Sequence, residues 1–270
     1  MKKLMMACVI ATIVACQTEQ KTTDKIDSTV TTNQSGIDSL TYRYDSVKVY
    51  SKNPVSKDAR VTDTAKAVIS YPVFPDAELN KFIVKKITGT ADGEKTYTTF
   101  SSYAQGFING FDDFQKDNKE RIQTWFLTIN TKVIRQQAHY ISLYSTYINF
   151  SGGAHPNSSF TYQNYNPTTH QEITLDDLLL PGSRVKLNQI AEKIFRAQEK
   201  LSPTQSLKDL YFFENDVFKL NDNFTVTGEG LLFLYNPYEI KAYAFGITKL
   251  LIPFSEIQEI AKPQSLLSNR

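Results

Sequence analysis

The chain has 270 residues, 41% of them hydrophobic and 12% aromatic, with 30 Lys+Arg against 28 Asp+Glu. That is enough apolar material for one large or two small domains. Lys2 and Lys3 account for the whole basic excess, so the remainder has balanced charge and lacks the electrostatic footprint of a nucleic-acid binder.

The N-terminus has the three parts of an export signal: basic Lys2 and Lys3, an apolar run from Leu4 to Val14, and small Ala15 before Cys16. The run is too short to span a bilayer, which takes ~20 residues. Ile13-Val14-Ala15-Cys16 resembles the bacterial lipobox, in which the signal is cut before a cysteine that carries lipid. The expectation is a signal peptide over 1–15 and an acylated Cys16 held in the lipid bilayer. The protein would then face the periplasm or the exterior from the cell envelope. Cys8 would leave with the signal, so the folded part would have neither a disulfide nor a thiol nucleophile. Residues 16–39, rich in Thr, Ser, Gln and Asp and free of aromatics, read as a flexible tether.

Strands are predicted over Thr41–Tyr50 and Ala59–Tyr71. Pro75-Asp76 opens a helix bearing Leu79, Phe82, Ile83 and Ile87, and Gly89 stops it. After a turn at Asp92-Gly93, a second helical stripe runs through Tyr97, Phe100, Ala104, Phe107, Phe111 and Phe114. Trp125–Arg135 and Tyr140–Phe150 read as an antiparallel hairpin, the latter with Tyr140, Tyr144, Ile148 and Phe150 on one face and Leu143 and Tyr147 on the other. Thr174 with Asp177 is a helix-start signal, and Ser183 is the expected cap of a helix carrying Leu187, Ile190, Ala191 and Ile194. Short strands follow at Phe224–Thr227, Leu231–Tyr235 and Thr248–Ile252, with a final helix at Ser255–Ile260. Helices and strands mix without strict alternation. The predicted class is α+β, with two small subdomains (40–160 and 161–262) whose antiparallel sheets are packed by helices.

Most catalytic signatures are absent: no phosphate loop, dinucleotide fingerprint, Gly-x-Ser-x-Gly elbow or His-Glu-x-x-His helix occurs. The three histidines, His139, His155 and His170, lack carboxylates at metal-ligand spacing. No cofactor or metal is expected, and the adjacent Asp pairs at 112–113 and 176–177 diverge on a helix. Two segments stand out. In Ser151-Gly152-Gly153-Ala154-His155-Pro156-Asn157, paired glycines permit positive φ and close backbone approach to a partner, although a tight turn needs the same residues. The run from Tyr235 through Asn236, Tyr238 and Glu239 to Tyr243 offers flat rings with polar tips, suited to sugars, to a protein interface, or to packing under a sheet. Candidate ligand-binding residues are therefore Gly152, Gly153, His155, Tyr235, Asn236, Tyr238, Glu239 and Tyr243.

These segments also carry a family resemblance. Gly152-Gly153-Ala154-His155, Asn164-Tyr165-Asn166 and Glu172-Ile173-Thr174-Leu175-Asp176-Asp177-Leu178 come first. Gly228-Glu229-Gly230-Leu231, Asn236-Pro237-Tyr238-Glu239-Ile240 and Tyr243-Ala244-x-Gly246 follow in order. Together they resemble the RsiV-like family, a pair of envelope domains found in lysozyme-sensing anti-sigma factors, beside deacetylase domains in some peptidoglycan-modifying enzymes, and alone in lipoproteins. The resemblance covers about Leu40 to Ile260. Pro156 and Lys241-Ala242 depart from the family pattern, where Gly and Ala-Pro are common.

The resemblance implies a two-part α+β body working at the cell wall, and no particular activity. The expectation is a non-enzymatic envelope module that binds a lysozyme-like muramidase or peptidoglycan. Two alternatives stand beside it: a wall hydrolase or deacetylase pairing His155 with Glu239, and a structural assembly lipoprotein.

Overall fold

The computed structural model describes residues 40–55, 63–89, 96–120 and 123–268. The expected signal, Cys16, the tether and the turn at Asp92-Gly93 lie outside the described residues.

The first body is a six-stranded sheet with two helices on one face. β1 (Arg43–Tyr50) pairs antiparallel with β2 (Lys66–Val73); the predicted start at Ala59 lies outside the described residues. The chain then forms α1 (Ala77–Thr88) and α2 (Phe100–Asp117) before entering β3 (Phe126–Gln137). Because two helices intervene, β3 re-enters the sheet from the same end as β2, and among the described strands this pair alone is parallel. β4 (Tyr140–Phe150), β5 (Asn157–Asn166) and β6 (Gln171–Glu172) extend the order β1-β2-β3-β4-β5-β6 by antiparallel pairing. The subdomain boundary expected between 160 and 161 falls inside β5.

Local chemistry sets the helix ends. The Asp76 carboxylate accepts from the backbone N–H groups of Glu78 and Leu79, and the Gly89 N–H bonds the Lys85 carbonyl. α2 begins three residues later than Tyr97, because Thr99 Oγ1 accepts from Ser102 N at 3.0 Å and caps it there. The periodic residues behave as their spacing predicts: Leu79, Ile83, Ile87, Phe100, Ala104 and Phe111 are buried. They pack on Ala67, Ile69, Leu127, Ile129, Ile141 and Leu143 of the sheet.

Register places the alternate residues on the opposite face. Tyr50, Lys66, Phe126 and Phe150 lie side by side across four strands. The next rows are Lys48, Val68, Thr128 and Ile148, then Ser46, Ser70, Asn130 and Thr146. Lys132, Tyr144 and Tyr162 form the last open row.

The second body holds α3 (Leu175–Leu178), α4 (Arg184–Gln198), the antiparallel sheet β7 (Phe224–Val226), β8 (Gly230–Tyr235) and β9 (Thr248–Pro253), and α5 (Phe254–Ile257). Leu187, Ala191 and Phe195 of α4 pack on Leu231, Phe233, Leu250 and Ile252. Asp177 accepts from the N–H and hydroxyl of Thr174 at 2.8 and 2.7 Å, as the start signal predicts. Ser183 stands at the cap position of α4 but its side chain makes no capping bond, since its backbone already has helical φ/ψ. The fold is α+β with helices on each sheet.

The two bodies meet through a buried polar seam. The Tyr140 hydroxyl donates to Asn164 Oδ1 at 2.7 Å and accepts from Val226 N at 2.9 Å. Asn164 Nδ2 donates to the Phe224 carbonyl, and the Ser142 and Thr225 hydroxyls bond at 2.7 Å. β7 thus covers the Ser142–Asn164 end of the sheet's second face.

Candidate functional site

The β4–β5 turn presents the first predicted segment. Gly152 and Gly153 have φ of +115° and +103°, conformations that L side chains rarely adopt. They turn the chain so that His155 leaves the sheet next to the β8–β9 connection. There the His155 and Tyr243 rings stack with centroids 4.1 Å apart and planes within 17°. Tyr238 joins them, its hydroxyl 3.3 Å from His155 Nε2 and its ring 5.4 Å from that of Tyr243. Three residues singled out from two distant segments therefore form one cluster, with Tyr238 57% exposed and nearby Phe245 71% exposed.

The loop that carries these rings is held from beneath. Asn236 acts as a peptide mimic on the outer edge of β5: its Oδ1 accepts from Phe160 N and its Nδ2 donates to Phe160 O. Asn223 continues this edge, accepting from Tyr162 N at 2.8 Å and donating to Phe160 O at 2.9 Å. The Glu239 carboxylate accepts from Asn221 Nδ2 at 2.6 Å and from Asn236 N at 2.7 Å. These bonds keep Tyr238 at φ +67°, where a bulky residue is seldom found.

Not every candidate reaches the cluster. Tyr235 ends β8 inside the second core, 1% exposed, with its hydroxyl donated to the Lys219 carbonyl. Burial first, and the Glu239 carboxylate second, push that hydroxyl up. Asn236 and Glu239 serve the loop's frame, and among the described residues no hydrogen bond or ion pair joins Glu239 to His155. His155 Nδ1 instead faces the Pro156 carbonyl at 3.0 Å. The other histidines lie apart, His139 on Thr168 and His170 beside Tyr165 and Asp76. Among the described residues no three His, Cys, Asp or Glu side chains are grouped to hold a metal ion, and no helix is long and apolar enough to cross a membrane.

Asn221 and Asn223 were not expected to matter. Their only local signal is a polar Asn-Asp-Asn run before a strand, which reads as a turn. Asn223 binds Phe160 and Tyr162, some 60 residues earlier in the chain, and Asn221 binds Glu239, 18 residues later.

Residues 176–255 match the family DUF3298, a protein of unknown function, and residues 59–158 match the family Deacetylase PdaC. No curated protein matches the chain. A crystal structure of a DUF3298-family member from Bacteroides fragilis superposes with a TM-score of 0.66 at 20% identity, covering 84% of this chain and 96% of that one. A DUF3298-family protein from Pseudomonas aeruginosa PAO1 gives 0.67 at 18% identity, with the same shares covered. At these identities the likeness is one of fold. Residues 59–158 are thus similar to the PdaC family and residues 176–255 to the DUF3298 family, and the bonds from Tyr140 to Val226 and from Asn164 to Phe224 join the two regions.

Proposed function

We propose that this protein is an envelope lipoprotein, anchored through Cys16, that works as a non-enzymatic binding module for a lysozyme-like muramidase or for peptidoglycan. The observation that carries this reading is the His155–Tyr238–Tyr243 ring cluster, half-buried at His155 and Tyr243 and exposed at Tyr238, built by two loops and fixed by Asn236 and Glu239. Rigid aromatic faces with polar tips lose little entropy on binding and suit sugar rings or a protein surface. Support also comes from the resemblance to envelope domains that meet lysozyme, and from the lipobox-like start.

Retention of the full-length protein on purified wall sacculi and on immobilised lysozyme tests the proposal. Wild type is retained by one of them, and Tyr238→Ala and His155→Ala each weaken that retention at least about tenfold, the scale of a lost aromatic anchor. Folded wild type retained by neither overturns it.

A deacetylase reading draws on the name of the family matched by residues 59–158. Its pairing of His155 with Glu239 has a carboxylate already engaged by Asn221 and Asn236. Acetate release from sacculi, lost in Glu239→Gln, is the result that would favour it.

A further inference from the structure

The six-stranded sheet has a second face that, among the described residues, no helix covers. β7 packs over its Ser142–Asn164 end, and the rows from Tyr144 to Phe150 remain open beside the second body, which rises from the β5 edge at Phe160. The result is a floor of strands with one wall.

The floor has a distinct chemistry. Ring pairs lie across it, Phe126 with Phe150 at 5.9 Å and 26°, and Tyr144 with Phe160 at 6.3 Å and 14°. Between them run hydroxyl and amide side chains, Thr128, Asn130 and Thr146. Lys48, Lys66 and Lys132 are exposed on it, and none of the aligned positions is Asp or Glu. Asp45, the acidic residue of β1, sits on the alternate face and pairs with Arg43. At the Phe126–Phe150 end the floor opens into a cleft of about 420 Å³ that also involves Thr124 and Trp125. Asp63 borders that cleft and accepts from the Thr124 hydroxyl at 2.7 Å.

Stacked rings take the apolar faces of sugar rings, hydroxyl and amide groups meet their hydroxyls, and three lysines that form no ion pair among the described residues favour an anion. We infer that this open sheet face is a binding groove for a carboxylate-bearing glycan, with Lys48, Lys66 and Lys132 meeting the carboxylates and Tyr144, Phe126 and Phe150 the sugar rings. The groove deepens the envelope-binding reading, on which it rests for a wall glycan as the natural occupant, and it is separate from the His155 cluster.

The test uses the full-length protein with polygalacturonate, a neutral chitin oligosaccharide, polyglutamate and sacculi as probes. Polygalacturonate binds at least tenfold more tightly than either of the other soluble probes, and binding weakens as salt rises from about 0.05 M to about 0.5 M. Replacing the three lysines together by glutamine lowers polygalacturonate affinity at least tenfold. The matching triple arginine variant retains affinity, which shows that the strands still form. Equal binding by the glutamine variant, or no polygalacturonate binding by folded wild type, overturns the inference. Polyglutamate binding as tightly overturns it too and assigns the face to an acidic polypeptide. Sacculi and lysozyme both failing while polygalacturonate still binds would leave the groove standing and remove the wall-binding reading. Sacculus retention that depends on Tyr238 and not on the lysines, with no polygalacturonate binding, would do the reverse.

Discussion

The two faces of the six-stranded sheet come from the same strands, yet they have different fates. One is dry: Ala67, Ile69, Leu127 and Ile129 lie under α1 and α2, each at most 2% exposed. The other carries nearly as many rings and branched side chains, but Val68, Phe126, Ile148 and Phe150 stay partly open. Alternation makes both faces apolar enough to bury. Which one is buried depends on the side to which the β2–β3 crossover delivers its helices. An apolar face left open, interspersed with lysines and hydroxyls, is the part of the sheet free to meet another molecule.

Substitutions on the two faces break or sharpen this contrast. Phe111→Ala empties a fully buried site on the helix side and costs about 3–5 kcal/mol, read by denaturant unfolding. Ile148→Thr on the open side costs under about 1 kcal/mol, and equal costs would mean that both faces are core. Next comes the seam that ends the open face. Tyr140→Phe leaves Asn164 Oδ1 and Val226 N without their buried partner and destabilises by about 2 kcal/mol. If the two bodies instead unfold in separate transitions in this variant, the seam is what makes them one cooperative unit.

A smaller effect is expected at the wall of the open face. Asn236→Ala removes both bonds to Phe160 and costs about 1 kcal/mol, while freeing the β8–β9 loop so that amide exchange rises at Tyr238 and Glu239. The smallest belongs to α3, away from both faces. The hydrogen bond from Arg184 holds the Asp176 carboxyl below the usual carboxylate range. A depressed carboxyl adds stability above its unfolded value and loses it as pH falls through the folded one. NMR titration should therefore show Asp176 protonating late as pH is lowered, and Arg184→Gln should return it toward normal with little change in melting temperature.

Much of the frame was legible in short stretches. The Asp76 carboxylate and the Gly89 backbone bound α1 where a cap and a stop are predicted, and the alternation in Tyr140–Phe150 separates residues that do lie on opposite faces. The paired glycines adopt the positive φ expected of them. Tyr235 was misplaced because it follows Leu231 and Phe233 in a buried alternation that ends one residue before the loop. Glu239 was read as a neighbour of the rings, whereas its oxygens turn toward Asn221 and the Asn236 amide.

The sequence by itself determined the helices, most strands, the glycine turn and the ring-bearing loop, because caps, turns and periodicity are set by residues a few positions apart. Tertiary structure alone decided that β2 and β3 run parallel, that Asn223 and Asn236 finish the edge of β5, and that His155 stacks on Tyr243. It also decided which face of the sheet remains open. Each of these joins residues about 60 to 90 positions apart, where only the closed chain brings donor to acceptor and ring to ring.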